Sequence, residues 1–186
     1  FRNREQLPSR FVLHVGTLQP RKNIPTLLEA FARLQRPEVL LVLVGGKGWL
    51  FDEIFAKVKE FNLQGQVRFT GYVPDADLPL WYNAAAALVF SSVYEGFGLP
   101  IVQAMACGTP VIAAQTSAIP EVTGQAARLF DPQDVRALAD HLVNVLDDPQ
   151  VATTMQEAGL AQAGQFSWDR VGRKMVSVYQ QALAKS

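Results

Sequence analysis

The sequence has little from which to build covalent or metal-held structure. Its 186 residues include one cysteine, Cys107, and two histidines. A single cysteine excludes an internal disulfide and cannot by itself form a thiolate metal site. We therefore expect Cys107 to be a small apolar residue of the core.

The sequence also lacks an excess of either charge and any long hydrophobic run. Lysine plus arginine and aspartate plus glutamate number 17 each, so the formal net charge is zero. A neutral chain without a basic run gives no electrostatic reason to expect nucleic acid as a partner. No apolar run approaches the roughly 20 residues of a membrane span, and Phe1–Glu5 does not resemble a signal peptide. We expect a cytoplasmic location.

Short apolar runs alternate with longer amphipathic stretches along the chain. The runs that predict buried strands are Phe11–Val15, Val39–Val44, Val67–Thr70, Ala87–Phe90, Val111–Ala114 and Ala127–Phe130. The stretches with helical spacing are Pro25–Leu34, Phe51–Phe61, Leu78–Ala85, Leu99–Ala106 and Val135–Leu146, and two more helices follow. This alternation predicts one α/β domain, a Rossmann-like, doubly wound parallel six-stranded sheet with C-terminal helices.

Two loops that follow predicted strands carry chemically informative residues, because ligands of such sheets bind beyond the carboxyl ends of the strands. Arg21 and Lys22 stand just ahead of a helix start, which itself attracts anions, so the pair predicts a negative group such as a diphosphate nearby. A solvated basic pair on a surface loop is the alternative. In the stretch 91–111, glycines precede a helix start, where backbone N–H groups can approach a phosphate. Glu95 and Gln103 can there reach hydroxyl groups of a sugar or a ribose.

The chain resembles glycosyltransferase family 4, the retaining GT-B enzymes. The resemblance covers essentially the whole chain and rests on the E-x7-E signature that starts at Glu95 and on five segments: 16–23, 71–74, 92–100, 104–111 and 119–122. It implies the carboxyl-terminal, nucleotide-sugar-binding domain of a GT-B fold. The implied reaction transfers a hexose, with mannose favoured, from a GDP- or UDP-linked donor to an acceptor hydroxyl with retention of configuration.

The resemblance also implies roles for individual residues. Arg21 and Lys22 would hold the donor diphosphate and stabilise the departing charge, and Glu95 would contact the donor sugar; these three form the expected catalytic set. The other positions that it places around the donor are Gly16, Thr17, Tyr72, Val73, Phe97, Gly98, Leu99 and Gln103. For Tyr72, packing in the core is an equal alternative to contact with the nucleotide base.

Gln103 departs from the family pattern, in which a second glutamate binds the ribose hydroxyls. An amide offers one acceptor oxygen and an NH2 donor where a carboxylate only accepts, so we expect weaker, uncharged contacts with the ribose. His14 lies within the first predicted strand, and we expect it to be buried and hydrogen-bonded. Asp75 and Asp77 are read as helix-start residues and not as an Asp-x-Asp metal motif. We expect neither a required metal nor a cofactor.

The resemblance further implies an amino-terminal acceptor domain that these 186 residues do not contain. We expect the isolated domain to bind donor but to be inactive without that partner domain, through which it could associate peripherally with a membrane. The acceptor would be a glycan or a lipid-linked sugar. The final helices, from Val151 through Phe166-Ser167-Trp168, are expected to pack towards the missing domain. The rival hypotheses are a sugar-nucleotide epimerase of GT-B-like fold and a non-enzymatic α/β nucleotide-binding module.

Overall fold

The computed structural model describes residues 1–183 and contains a six-stranded sheet in which each strand runs parallel to its neighbours. The strands are β1 (Phe11–Val15), β2 (Leu40–Val44), β3 (Val67–Gly71), β4 (Ala87–Phe90), β5 (Val111–Ala114) and β6 (Ala127–Phe130). Their order across the sheet is β3-β2-β1-β4-β5-β6. The predicted strands and the doubly wound architecture are confirmed.

Helices cover both faces of the sheet. They are α1 (Ile24–Arg33), α2 (Asp52–Glu60), α3 (Leu78–Ala84), α4 (Leu99–Ala106), α5 (Ile119–Thr123), α6 (Val135–Asp147), α7 (Pro149–Ala163) and α8 (Trp168–Leu183). A single 3-10 turn, Pro20–Lys22, precedes α1. The five-residue α5 was not predicted, because so short an element shows no helical period.

The sheet separates two apolar layers, and alternate residues of the central strands β1, β2, β4 and β5 enter opposite layers. Val12 packs with α1, α2 and α6, whereas its neighbour Leu13 packs with α3, α4 and part of α7. Successive side chains of a strand point to opposite faces, and both faces of a parallel sheet are covered. This is why the strands read as continuous apolar runs.

The strand order reverses beside β1. From β1 the chain proceeds outwards to β2 and β3, and then returns to place β4 on the other side of β1. The helices that follow β1 and β4 lie on opposite faces, since α1 packs in one apolar layer and α4 in the other. Such a switch point leaves a crevice at the carboxyl ends of the two strands, and ligands of open α/β sheets bind there.

The loops after β1 and β2 are held against each other by glycine. A Cβ atom on Gly45 would lie 2.1 Å from the carbonyl oxygen of Gly16, so no side chain fits there. Gly45 also has a φ of +145°, which other residues rarely adopt. The pairing continues further along the chain, where the Leu18 N–H donates to Gly46 and the Gly48 N–H donates to Leu18, at 2.9 and 3.0 Å.

The C-terminal helices make different contacts within this domain. α7 packs on α4, where Gly159 meets Met105, and the Phe166 ring contacts Phe97 edge to face at 5.7 Å. α8 buries none of its residues, and Trp168 is 86% exposed. The expectation that these helices pack towards another domain stays a prediction.

Candidate functional site

The crevice at the switch point is built by two loops that are hydrogen-bonded together. The first is the 3-10 turn after β1, which carries Arg21 and Lys22, and the second follows β4. The buried Ser91 hydroxyl donates to the Lys22 carbonyl at 2.8 Å, and the Val93 N–H donates to the Arg21 carbonyl at 2.9 Å. The cation pair is therefore fixed against the loop that carries Glu95.

Arg21, Lys22 and Glu95 form one charged cluster. Glu95 Oε1 accepts from Lys22 Nζ at 2.8 Å and lies 2.6 Å from Arg21 Nη1. Lys22 is buried and its Nζ also lies 4.7 Å from the centre of the Phe90 ring. Arg21 is more exposed, and its Nη1 donates to the Tyr94 carbonyl at 2.6 Å. The alternative of a solvated basic pair is wrong, because one cation is buried and both are ion-paired.

The cluster keeps Glu95 ionised. Burial alone would raise the pKa of Glu95, but hydrogen bonds from Arg21 and Lys22 hold it below the usual value. The cation pair predicted a negative group nearby, such as a diphosphate, and within the protein the Glu95 carboxylate occupies this role. Two cations and one carboxylate leave a net positive charge in the crevice.

Gly16 makes room for Lys22. A Cβ atom on Gly16 would lie 2.8 Å from Lys22 Cε and 3.1 Å from Nζ, so any side chain would push the ammonium group aside. Thr17, the next residue, is exposed at the same strand end. The two predicted donor-binding residues of this loop thus have different surroundings: Gly16 lies against the Lys22 side chain, and Thr17 is exposed with its methyl group beside Gly48.

A third loop, after β5, supports Glu95 through Thr116 and Ser117, two residues that were given no role from the sequence. The Ser117 hydroxyl accepts from the Glu95 N–H at 2.9 Å, and the Thr116 hydroxyl donates to the Val93 carbonyl at 2.9 Å. Both residues lie just beyond the carboxyl end of β5, next to β4 in the sheet. The sequence signal that could have identified them is the pair of hydroxyl residues that directly follows a predicted strand.

Phe97, Gly98 and Leu99 form the start of α4. Gly98 occupies the position before the helix with a φ of +100°, which glycine adopts without strain. Phe97 and Leu99 are 41% and 57% exposed, although both are large and apolar. The loop therefore presents these side chains and the first backbone N–H groups of α4 at the crevice edge.

Tyr72 and Val73 follow β3, which is separated from β1 by β2. Neighbouring strands lie about 4.8 Å apart, which puts the end of β3 about 10 Å from that of β1. Tyr72 is 76% exposed, so packing in the core, the alternative for this residue, is wrong. The structure thus keeps Tyr72 and Val73 on the same edge of the sheet as the charged cluster but two strands away from it.

Gln103 lies on the exposed side of α4, one turn beyond Leu99. Its Oε1 accepts a hydrogen bond from the Tyr82 hydroxyl of α3 at 3.1 Å. Tyr82 was not among the residues predicted to act at the site, because nothing in the sequence pairs positions 82 and 103.

His14 is fully buried in β1, as expected, and its Nδ1 lies 3.1 Å from the Val89 carbonyl oxygen. Burial, assisted by the nearby charge of Lys22, lowers the pKa of His14 to about 4. The ring is therefore neutral at physiological pH, and the Nδ1–H donates to Val89.

Within residues 1–183, no group of three or more His, Cys, Asp or Glu side chains is arranged so that it could hold a metal ion. In the same part of the chain, no helix combines the length and the apolar character needed to cross a membrane.

The fold and the charged crevice define a Rossmann-like α/β protein with two cations and a carboxylate clustered at its switch point. The sequence profile described as "Glycosyl transferases group 1" matches residues 1–162, and the chain belongs to this family. An O-antigen chain mannosyltransferase B from Escherichia coli is 42% identical over 172 residues, which are 91% of this chain and 45% of that protein.

Solved structures of glycosyltransferases share the fold. Sucrose-phosphate synthase from Thermosynechococcus elongatus superposes with a TM-score of 0.88 at 36% identity, over 100% of this chain and 49% of that one. Anabaena Alr3699/HepE, solved in complex with UDP and glucose, superposes with a TM-score of 0.88 at 26% sequence identity. The match covers 97% of this chain and 51% of the Anabaena chain. The chain thus spans about half the length of the proteins that it matches.

Proposed function

We propose that this chain is the donor-binding domain of a retaining glycosyltransferase that transfers a hexose from a nucleoside diphosphate to an acceptor hydroxyl. The observation that carries the proposal is the position of the Arg21–Lys22–Glu95 cluster. It places two cations, which suit a diphosphate, beside a carboxylate, which suits hydroxyl groups, at the switch point of a doubly wound sheet.

The two cations differ in what they offer a diphosphate. The partly exposed guanidinium of Arg21 has N–H groups beyond the one that contacts Tyr94 and Glu95, and its planar fork suits two phosphate oxygens. The ammonium group of Lys22 is held by its surroundings and acts as a point charge. Both would stabilise the negative charge that develops on the leaving diphosphate as the glycosidic bond breaks.

Glu95 is proposed to recognise the donor sugar. Its carboxylate accepts hydrogen bonds only, and hydroxyl groups of a hexose donate them. The start of α4, at Phe97, Gly98 and Leu99, would add backbone N–H groups beside the phosphates. Gly16 and Thr17 border the diphosphate, while Tyr72 and Val73, on the outer strand end, are proposed to contact the base and Gln103 the ribose.

We propose mannose as the sugar and GDP as its carrier. The relative at 42% identity is a mannosyltransferase, which supports the sugar, and the structural neighbour with UDP, at 26% identity, keeps a UDP-sugar as the rival donor. No step of the proposal requires a metal or a cofactor, because the cations of the chain itself would neutralise the leaving group.

The acceptor is proposed to be a glycan or lipid-linked sugar held by a second domain outside these 186 residues. This chain covers 45% of its mannosyltransferase relative, which leaves length for such a domain. The remaining expectations from the sequence, a cytoplasmic setting with peripheral association to a membrane through the second domain, belong to the same proposal.

The experiment that tests the proposal is a calorimetric titration of the purified chain with GDP, UDP and ADP. We expect GDP to bind, and to bind more tightly than UDP and ADP. Tighter binding of UDP would mean that UDP, and not GDP, carries the sugar, and it would leave the proposed class of enzyme unchanged. Failure of all three to bind to folded protein would overturn the assignment of the crevice.

A further inference from the structure

A buried tyrosine is hydrogen-bonded to the residue that we propose contacts the ribose. Tyr82 is 1% exposed, yet its hydroxyl lies at the boundary between α3 and α4 and donates to Gln103 Oε1 at 3.1 Å. Gln103 itself is exposed. The bond therefore connects the interior of the domain to a side chain at its surface.

This bond decides which way the Gln103 amide faces. A buried tyrosine hydroxyl needs an acceptor for its proton, and the amide has one acceptor oxygen and an NH2 group with two donors. Burial raises the pKa of Tyr82, so the hydroxyl stays protonated and remains a donor. With its oxygen bonded to Tyr82, Gln103 is left with its N–H groups for a partner outside the helix.

The surroundings point to the nucleotide as that partner. Gln103 follows Leu99 by one turn on the same side of α4, and α3 packs against α4 directly after the loop that carries Tyr72 and Val73. The amide therefore stands one turn beyond the start of α4, on a helix that packs against the element following the loop proposed to bind the base.

We propose that Tyr82 is a positioning residue that holds the Gln103 amide with its N–H groups towards the ribose, so that a ribose hydroxyl oxygen accepts the hydrogen bond. The inference rests on the proposed function and extends it, because it reverses the direction of hydrogen bonding that a glutamate would impose. A glutamate at position 103 could only accept from the ribose.

The test compares affinities for GDP and UDP with those for their 2′,3′-dideoxy forms, in which both ribose hydroxyls are absent. One neutral hydrogen bond is worth about a two- to tenfold difference in affinity, and we expect the wild-type chain to prefer the ribose forms by about that factor. The measured ratio is the affinity for a ribose form divided by the affinity for its dideoxy form. In Tyr82→Phe this ratio should fall at least halfway towards one, while the affinity for the dideoxy forms stays the same. Gln103→Leu should do likewise, and the double variant should add nothing further.

The matched control removes a different hydrogen bond from the same residue. The Thr109 hydroxyl donates to the Tyr82 backbone carbonyl at 2.9 Å, so Thr109→Val disturbs α3 without touching the tyrosine hydroxyl. We expect it to lower stability and leave the affinity ratio unchanged. A ratio that falls equally in Thr109→Val and Tyr82→Phe would show that Tyr82 is merely structural, and would overturn the inference.

The remaining outcomes separate this inference from the proposed function. Wild-type protein that binds GDP or UDP without discriminating against the dideoxy forms overturns the role of Tyr82 and Gln103 alone. Wild-type protein that binds neither overturns both. If Tyr82→Phe does not fold, the test uses the side-chain amide NMR signals of Gln103 in the wild-type protein. These signals are assigned by their loss in Gln103→Leu. They should shift with GDP or UDP but not with the dideoxy form, and equal shifts would contradict the inference.

Discussion

At the level of single residues, Arg21 is the more exposed of the two cations, and its removal leaves Lys22 paired with Glu95. We expect Arg21→Ala to weaken binding of a nucleoside diphosphate by about 1.5–3 kcal/mol, the range for charged hydrogen bonds. The control is Arg33→Ala, which removes an arginine ion-paired with Glu29 on α1. Calorimetry should show weaker binding of the nucleoside diphosphate for Arg21→Ala only. If Arg21→Ala bound it as tightly as the wild-type chain, Arg21 would not belong to the site.

Glu95→Gln should separate binding of the sugar from binding of the diphosphate. In the structure the carboxylate is shared by both cations, so its neutralisation leaves them free for phosphate oxygens. We expect plain diphosphate affinity to stay the same or increase, while affinity for the sugar donor decreases. Titrations with GDP and GDP-mannose measure the two effects. Parallel losses for both ligands would contradict the division of roles between Glu95 and the cations.

His14 should make the stability of the fold depend on pH. The pKa is lowered from 6.5 to about 4 by burial, so the unfolded chain binds the proton more readily between these values. Stability is therefore complete above pH 6.5 and is lost as the pH falls towards 4. Between pH 7 and pH 5 we expect a loss of about 2 kcal/mol from this residue. In urea unfolding, His14→Phe should be less stable at pH 7 but should lack this part of the pH dependence.

The difference between predicted and observed roles is largest at this scale. Residue types at strand ends drew attention to Arg21, Lys22 and Glu95, and the family resemblance supplied the roles expected of them and of Gln103. They could not show that Glu95 pairs with Lys22, 73 residues earlier, or that Gln103 is bonded to Tyr82, since both contacts depend on how elements pack. Exposure of Tyr72 was equally beyond the local pattern.

At the level of elements, the close approach of β1 and β2 can be tested at one glycine. Gly45→Ala places a Cβ atom against the Gly16 carbonyl and requires an unfavourable φ. We expect the free energy of unfolding to fall by roughly 2–4 kcal/mol through backbone strain and overpacking. Gly46→Ala is the control, because nothing lies within 4 Å of its added Cβ. Denaturant unfolding should show a lower free energy of unfolding for Gly45→Ala than for Gly46→Ala. Equal values would show that the loops after β1 and β2 can move apart at little cost.

The elements themselves were largely predictable. All six strands were found from their apolar residues, because burial on both faces makes the central strands almost wholly apolar. Polar residues within strands, such as Arg68 of β3 and Arg128 of β6, lie on the two outer strands of the sheet. α5 was too short to show a period. The amphipathic pattern of α8 indicates a face suited to burial, but a pattern does not name the surface that covers it, and within residues 1–183 that face is exposed.

At the level of the whole molecule, we predict that this chain binds a nucleoside diphosphate but does not transfer sugar. The predicted ligand groups stand on one edge of one sheet, on the donor side. Transfer also needs an acceptor hydroxyl held at roughly 3–3.5 Å from the reacting carbon, and orientation supplies a large share of the rate. A transfer assay with GDP-mannose and candidate acceptors, run beside the titrations, should show no turnover. Robust turnover by this chain would contradict the need for a second domain.

The Glu95 carboxylate also acts as a counter-ion that is part of the protein. It cancels one of two charges in a chain whose formal net charge is already zero, so little positive potential extends beyond the crevice. The donor would then be captured by contact at short range and not by long-range steering. Its association rate would respond weakly to ionic strength, and other polyanions would gain little advantage from their charge alone.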